Sequence, residues 1–334
     1  MDRVILDGSH GEGGGQIVRT ALALSCITGR PVEMDRIRHN RRIPGLRAQH
    51  LAACRVLRDM CGARMDGCKA GSTRIRFLPG RVLDAATISE RIPTAGSAPL
   101  VLQAAVPACW AAGGRLDLTV TGGTDVRWAP TADYTRYVLG SAYSAMGIRM
   151  SIEVSNRGYY PKGGGRIRVV VEPSRLKPAR FTRPYGGEVG LFCTFSGIDK
   201  GDVMDGVESV AGRFREAGRR CRINIRKECS VGSGAAMLAF GSGPGFVAGT
   251  DSLYDGGFDP GMVDGLVRAI GVDDNLADML VVPASVAKGT SVFRVSRITR
   301  HLETALYVAS SITGCRYGAS QVSGGFEVRI EGVG

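Results

Sequence analysis

The sequence predicts an α/β protein, a threefold βαβαββ repeat body with one small α/β domain inserted into its third copy. Two observations predict it. Three segments close alike, Met60–Met65 as MCGARM, Ala145–Met150 as AMGIRM and Ile312–Tyr317 as ITGCRY, each after a helical pattern of apolar residues. Their glycines stand at 62, 147 and 314, so the intervals are 85 and 167 residues, and the second holds an insertion of about eighty residues. A composition of 44% apolar and 22% charged residues over 334 positions is that of a globular chain, long enough to bury a core without disulfide or metal staples.

The elements follow in order. A strand over Val4–Asp7 runs into the glycine-rich stretch Gly8–Gly15, and a helix continues to Ser25. A strand at Thr73–Phe77 precedes the second copy, which has a helix at Pro99–Pro107 and alternating strands at Arg115–Val120 and Arg166–Val171. The uncharged stretch Ala95–Gly114 is about membrane length, but Pro99, Gln103 and Pro107 interrupt it, so a buried helix is predicted and not a span. A third-copy helix covers Leu276–Pro283. The last helix starts near His301 and turns Leu302, Leu306 and Ala309 inward. Glycines 62, 147 and 314 are predicted as helix C-caps. Within the insertion, Gly190–Phe195 and Ala235–Phe240 read as strands and Val203–Gly218 as a helix. The domains are therefore expected at 184–272 for the insert, with 1–183 and 273–334 forming the body.

Charge narrows the partners. The net charge is +12, and 37 of the 43 basic residues are arginine. The guanidinium fork matches phosphate oxygens, although a compositional swap of lysine for arginine gives the same count. Residues 184–272 carry −2, leaving +14 for the rest, with Arg36, Arg38, Arg41, Arg42 and Arg47 packed into twelve positions. No basic amphipathic helix accompanies that cluster, which favours nucleic acid over membrane. Nine cysteines without a CxxC pair, and an opening without the pattern of a secretory signal, predict reduced thiols in the cytoplasm.

The chemistry-bearing residues are few. Gly8–Gly15 before a helix N-terminus suits a phosphate cradle, and equally a tight turn; it is neither a Walker A loop nor the dinucleotide fingerprint. Glu12 within it would repel a phosphate unless a divalent cation stood between them, or it is a solvated loop glutamate. None of His10, His39, His50 and His301 has metal-ligand spacing. His301, at a helix start, is placed to meet a phosphate there, against the ordinary reading of a satisfied histidine.

Seven motifs follow in order: DGSHGEGGGQIVRT from Asp7, IRHNRRIPGLRAQHL from Ile37, LVLQ from Leu100, GGTDV from Gly122 with Ala129-Pro130 and Asp133-Tyr134, RGYYPKGGG from Arg157, Leu276-Ala277-Asp278, and HLET from His301. Together they resemble the RNA 3′-terminal-phosphate cyclases. The likeness spans nearly the whole chain and is weakest across the insert. It implies the enolpyruvyl-transferase and cyclase fold. It also implies an ATP-dependent ligase, active in RNA processing, that converts an RNA 3′-phosphate to a 2′,3′-cyclic phosphate through a histidine-adenylate and an RNA-adenylate. Carried over residue by residue, the resemblance makes His301 the nucleophile and Glu12 the metal residue for Mg or Mn. Gln103, Pro130, Asn275, Leu276, Ala277, Asp278 and Met279 would line the nucleotide. Arg19, Arg38, Arg41 and Gln49 would face phosphates and the RNA end. Asn275, Met279 and Ala305 depart from the family's usual residues, and Met279 forgoes the two-way hydrogen bonding of the usual glutamine.

Three rivals are weaker. A non-catalytic cyclase-like scaffold of RNA processing typically lacks the histidine. An enolpyruvyl transferase needs ligand-binding lysines that six scattered Lys do not supply, and the Lys-x-Asp-Gly signature of lysine-adenylating ligases is absent.

Overall fold

The computed structural model describes residues 3–111 and 113–334. Its strands form four four-stranded mixed sheets. The first sheet contains β1 (Val4–Asp7), β2 (Val32–Asp35), β3 (Arg64–Asp66) and β4 (Ile75–Leu78), in the order β1-β2-β4-β3. Its helices are α1 (Gln16–Thr28) and α2 (Ala48–Cys61). The second sheet contains β5 (Ala85–Arg91), β6 (Arg115–Gly122), β7 (Arg149–Asn156) and β8 (Gly165–Glu172), in the order β5-β6-β8-β7. With it come α3 (Ala98–Ala111) and a π-helical stretch, Tyr134–Leu139, that runs into α4 (Gly140–Ala145).

β9 (Arg180–Phe181) leads to a separate sheet of β10 (Val189–Ser196), β11 (Cys221–Lys227), β12 (Gly234–Gly243) and β13 (Phe246–Leu253), ordered β11-β10-β12-β13. α5 (Lys200–Glu216) and α6 (Met262–Val267) cover it. The chain then forms α7 (Asp274–Val286), β14 (Gly289–Val295), α8 (Arg300–Thr313), β15 (Arg316–Val322) and β16 (Gly325–Gly332). β14, β15 and β16 join β9 in the order β9-β14-β16-β15. In three sheets, therefore, a parallel pair is followed by antiparallel neighbours in the same order, first-second-fourth-third.

One core unites the three sheets of that order, and α1 packs on α2, α3 and α8 inside it. A second core, from Val189 to Ala269, belongs to the remaining sheet. α3 is buried on nearly every side and carries Pro107 in its interior. Among the described residues no helix is long and apolar enough to cross a membrane. Gly62 and Gly314 cap α2 and α8 in the left-handed conformation, φ 59° and 79°, as their positions predict. The middle helix differs. Met146 is its cap, and Gly147, at φ 85°, follows one residue later. α5 begins at Lys200, three residues before its expected start, because the Asp199 carboxylate accepts from the N–H groups of Gly201 and Asp202. All nine cysteines are free thiols.

Candidate active site

The glycine-rich loop is held tightly on both sides. A β-carbon at Gly11 would collide with Thr304 Oγ1 on α8, and one at Gly15 would collide with His50 Nε2 on α2. Gly11 and Gly13 also adopt left-handed backbone, φ 63° and 61°. The Glu12 N–H donates to Thr304 Oγ1 at 3.1 Å, so the loop is laced to the first turn of α8. That turn begins at Thr299, whose hydroxyl accepts from the Leu302 N–H at 3.1 Å. Two residues on, His301 stands exposed at the helix N-terminus.

A chain of hydrogen bonds runs inward from it. His301 Nδ1 lies 2.7 Å from Gln16 Oε1, and Gln16 Nε2 donates to Asp278 Oδ2 at 2.5 Å. An ionised carboxylate only accepts, so it must face the Gln16 amide nitrogen and turn the amide oxygen to the imidazole. That oxygen in turn requires a proton on Nδ1, which leaves the Nε2 lone pair free. Desolvation, then the guanidiniums of Arg19 and Arg41, hold the His301 pKa below that of an ordinary imidazole. Burial pushes Asp278 up to about 7 despite Arg19, and burial draws Arg19 itself down to about 10.

On one side of this chain Gln103 reaches from α3 and its Nε2 donates to Met279 Sδ at 3.2 Å. Gln16, Arg19, Gln103, Asp278 and Met279 surround a cavity of about 20 Å³, room for roughly one water. Leu276 and Ala277 turn into the core at 0% exposure, whereas Asn275 is exposed at the start of α7. Pro130 lies outside the hydrogen-bonded cluster, in the loop before the π-helical stretch, whose first residue Tyr134 donates from Oη to the N-cap carboxylate of Asp273 at 2.8 Å.

On the other side lie the arginines. Arg41 pairs with Glu12, whose side chain is largely covered. Arg38 adopts φ 55° and donates from Nη1 to the carbonyls of Ile43 and Gly45, at 3.0 and 2.9 Å, so part of its guanidinium shapes its own loop. Gln49 Oε1 accepts from the Ser97 N–H at 2.9 Å, which leaves its amide N–H groups available. His50 Nδ1 accepts from the Arg47 N–H at 3.0 Å. Burial, then Arg19, Arg38 and Arg47, lower the His50 pKa to about 3, so this ring stays neutral.

The structure thus brings Glu12, Arg19, Arg41, Gln103, Asp278, Met279 and His301 into one cluster. Gln16, Thr304 and His50 join it without having been singled out from the sequence. Gln16 had one readable sign, a long polar side chain on a helix whose other fully buried residues are apolar or small. Among the described residues no three His, Cys, Asp or Glu side chains converge as a metal cage. Glu12 is a single carboxylate, paired with Arg41, and a single carboxylate fits a divalent cation only where phosphate oxygens and water complete the shell.

The family model for RNA 3′-terminal phosphate cyclase matches residues 10–319. The protein of that name from Methanococcoides burtonii is 36% identical over 318 residues, covering 93% of this chain and 95% of its own. The one from Pyrobaculum aerophilum is 36% identical with 99% of each chain covered, and that from Thermococcus onnurineus is 39% identical with 94% of each.

Proposed function

The chain belongs to the RNA 3′-terminal phosphate cyclase family, and from that premise we propose how its own residues close the RNA end. The reaction is cyclisation of an RNA 3′-terminal phosphate, with ATP as the implied energy source. His301 Nε2 attacks the α-phosphorus of ATP; the P–N bond forms as the α–β anhydride bond breaks, and pyrophosphate leaves with the bonding pair. The Nδ1 proton stays on the imidazole, held by Gln16. An oxygen of the RNA 3′-phosphate then displaces the imidazole and takes the adenylyl group. The neighbouring 2′-hydroxyl attacks that activated phosphorus at high effective concentration, its proton is lost, and AMP departs from the cyclic product.

The single observation that carries this reading is the bond chain Asp278–Gln16–His301, which leaves Nε2 unprotonated at a helix N-terminus. Its test is incubation with α-labelled ATP followed by recovery of an acid-labile protein adenylate. Gln103, Met279 and Asp278 border the nucleotide side, with Pro130 and Asn275 at its rim; Arg19, which shares their cavity, would meet the nucleotide's phosphates, and Arg38, Arg41 and Gln49 face the RNA end. Glu12 would hold a divalent cation, Mg or Mn, which would supply charge neutralisation for the departing pyrophosphate. Glu12→Ala is therefore expected to slow adenylation about tenfold at limiting metal, with smaller loss of RNA binding and partial recovery in excess Mn²⁺. Adenylation rates across a metal titration check this; a wild-type rate at limiting metal makes the glutamate structural.

The Asp278 carboxyl gives the reaction a pH dependence. Its pKa of about 7 lies above an ordinary carboxylate's, so as pH falls through 7 it gains a proton and no longer dictates the orientation of Gln16. The adenylation rate should fall with it. In Asp278→Asn that limb near pH 7 should vanish, leaving only the lower limb of His301; a limb unchanged in rate-against-pH measurements would remove Asp278 from the relay.

The architecture extends the same reading. Three sheets of one strand order support a threefold βαβαββ body over 1–183 and 273–334, and the separate core supports 184–272 as its insert. Nine free thiols support a reducing compartment such as the cytoplasm.

A further inference from the structure

Two large aromatic side chains are left in solvent beside this site. Trp128 is 95% exposed and Tyr160 is 78% exposed. Trp128 also holds φ 61°, a left-handed conformation that costs a bulky residue free energy and that is kept only where the surroundings impose it.

The surroundings are rigid. Asp125 and Tyr159 pair as a short parallel bridge between the two loops, and the Gly158 N–H donates to Thr124 Oγ1 at 2.8 Å. Beneath them Arg157, 2% exposed, bonds Asp125 at 3.3 Å, Asp133 at 2.8 Å and Glu228 at 2.7 Å. The aromatics are thus presented on a braced frame. Exposed cations lie on the same loops, Lys162 and Arg127, the latter paired with Asp255, and Arg226 and Lys227 are exposed at the end of β11 just before Glu228.

The frame is continuous with the RNA side of the site. Gly163 lies so close to Ala95 that a β-carbon would meet its backbone. Two residues beyond Ala95, the Ser97 N–H is held by Gln49 Oε1 at 2.9 Å. The aromatic loops therefore abut the segment that touches Gln49, one of the residues assigned to the RNA end.

Exposed aromatic faces among fixed cations are the chemistry of unpaired nucleic acid, in which bases stack while phosphates meet positive charge. A paired helix keeps its bases stacked on one another and has no face to offer. We propose that Trp128 and Tyr160, flanked by Arg127, Lys162, Arg226 and Lys227, form a stacking platform for unpaired bases upstream of the RNA 3′ end. This rests on the cyclase reading and assigns it a second contact region outside the catalytic cluster.

Trp128→Ala and Tyr160→Ala test it. Each should raise KM about tenfold for a long single-stranded 3′-phosphate oligonucleotide and leave KM for a 3′-phosphorylated dinucleotide unchanged, with kcat unaltered on both. Trp128→Phe should restore most of the loss, and abasic upstream positions should erase the difference between wild type and variant. Binding is read separately by tryptophan emission with an oligonucleotide that ends in a 3′-hydroxyl. The only other tryptophan, Trp110, is 7% exposed, so RNA should quench the wild type and not Trp128→Phe. Equal loss on both substrate lengths, no loss, or no quenching would overturn the platform. Quenching in a wild-type protein that cyclises neither substrate would sink the cyclase reading and leave the platform standing.

Discussion

Replacement of His301 by alanine is expected to abolish covalent labelling by α-labelled ATP and to cut cyclisation of an RNA 3′-phosphate by at least about 10³-fold. No other histidine can take over. His10 is stacked on Tyr307 with ring centroids 3.9 Å apart. His50 uses Nδ1 to cap α2 and presses Nε2 against Gly15. His39 is not on α8; it lies in the exposed arginine loop. The fold should survive the change, because His301 is exposed and gives up only its bond to Gln16, about 1 kcal/mol. Thermal denaturation beside the labelling assay separates the two effects. Labelling that persists in the alanine variant assigns the nucleophile elsewhere.

How much of this was readable depended on the distance over which each feature is determined. Helix ends were legible because a glycine cap is a local backbone requirement: Gly62 and Gly314 behave as their sequence positions dictate. The middle helix defeated the same rule. Its π-helical stretch starts at Tyr134, which reaches Asp273, 139 residues away. Sheet order was not legible either, since strands such as β9 and β14 find each other across the whole insert.

The site divides in the same way. His301 and Glu12 drew notice because each stands in a distinctive local setting, a helix start and a glycine loop, and the roles proposed for them come from the family resemblance. Leu276 and Ala277 share a motif with Asp278, but helical periodicity turns them with Leu280 and Val281 to the core face and leaves Asp278 on the polar one. Gln16 was quoted within a motif and given no role. Its two partners lie 262 and 285 residues further along the chain, and no spacing rule reaches that far.

That residue carries the second large effect. Gln16→Leu should slow adenylation about 10²-fold with little change in KM for ATP, a loss of the size seen when a group orienting a reactive imidazole is removed. Leucine approximates the bulk of the glutamine but offers no acceptor to Nδ1–H and no donor to Asp278. The imidazole would then place its proton on either nitrogen, and the Nε2-protonated form has no lone pair for phosphorus. With no glutamine left to orient, the titration of Asp278 near 7 should no longer reach His301, so the acid limb of the rate at that pH should disappear as in Asp278→Asn. Single-turnover formation of the adenylate, followed against pH, measures both. A merely structural glutamine would lower the melting temperature and leave the rate and its pH profile as they were, and that outcome would dismantle the relay while sparing His301 as nucleophile.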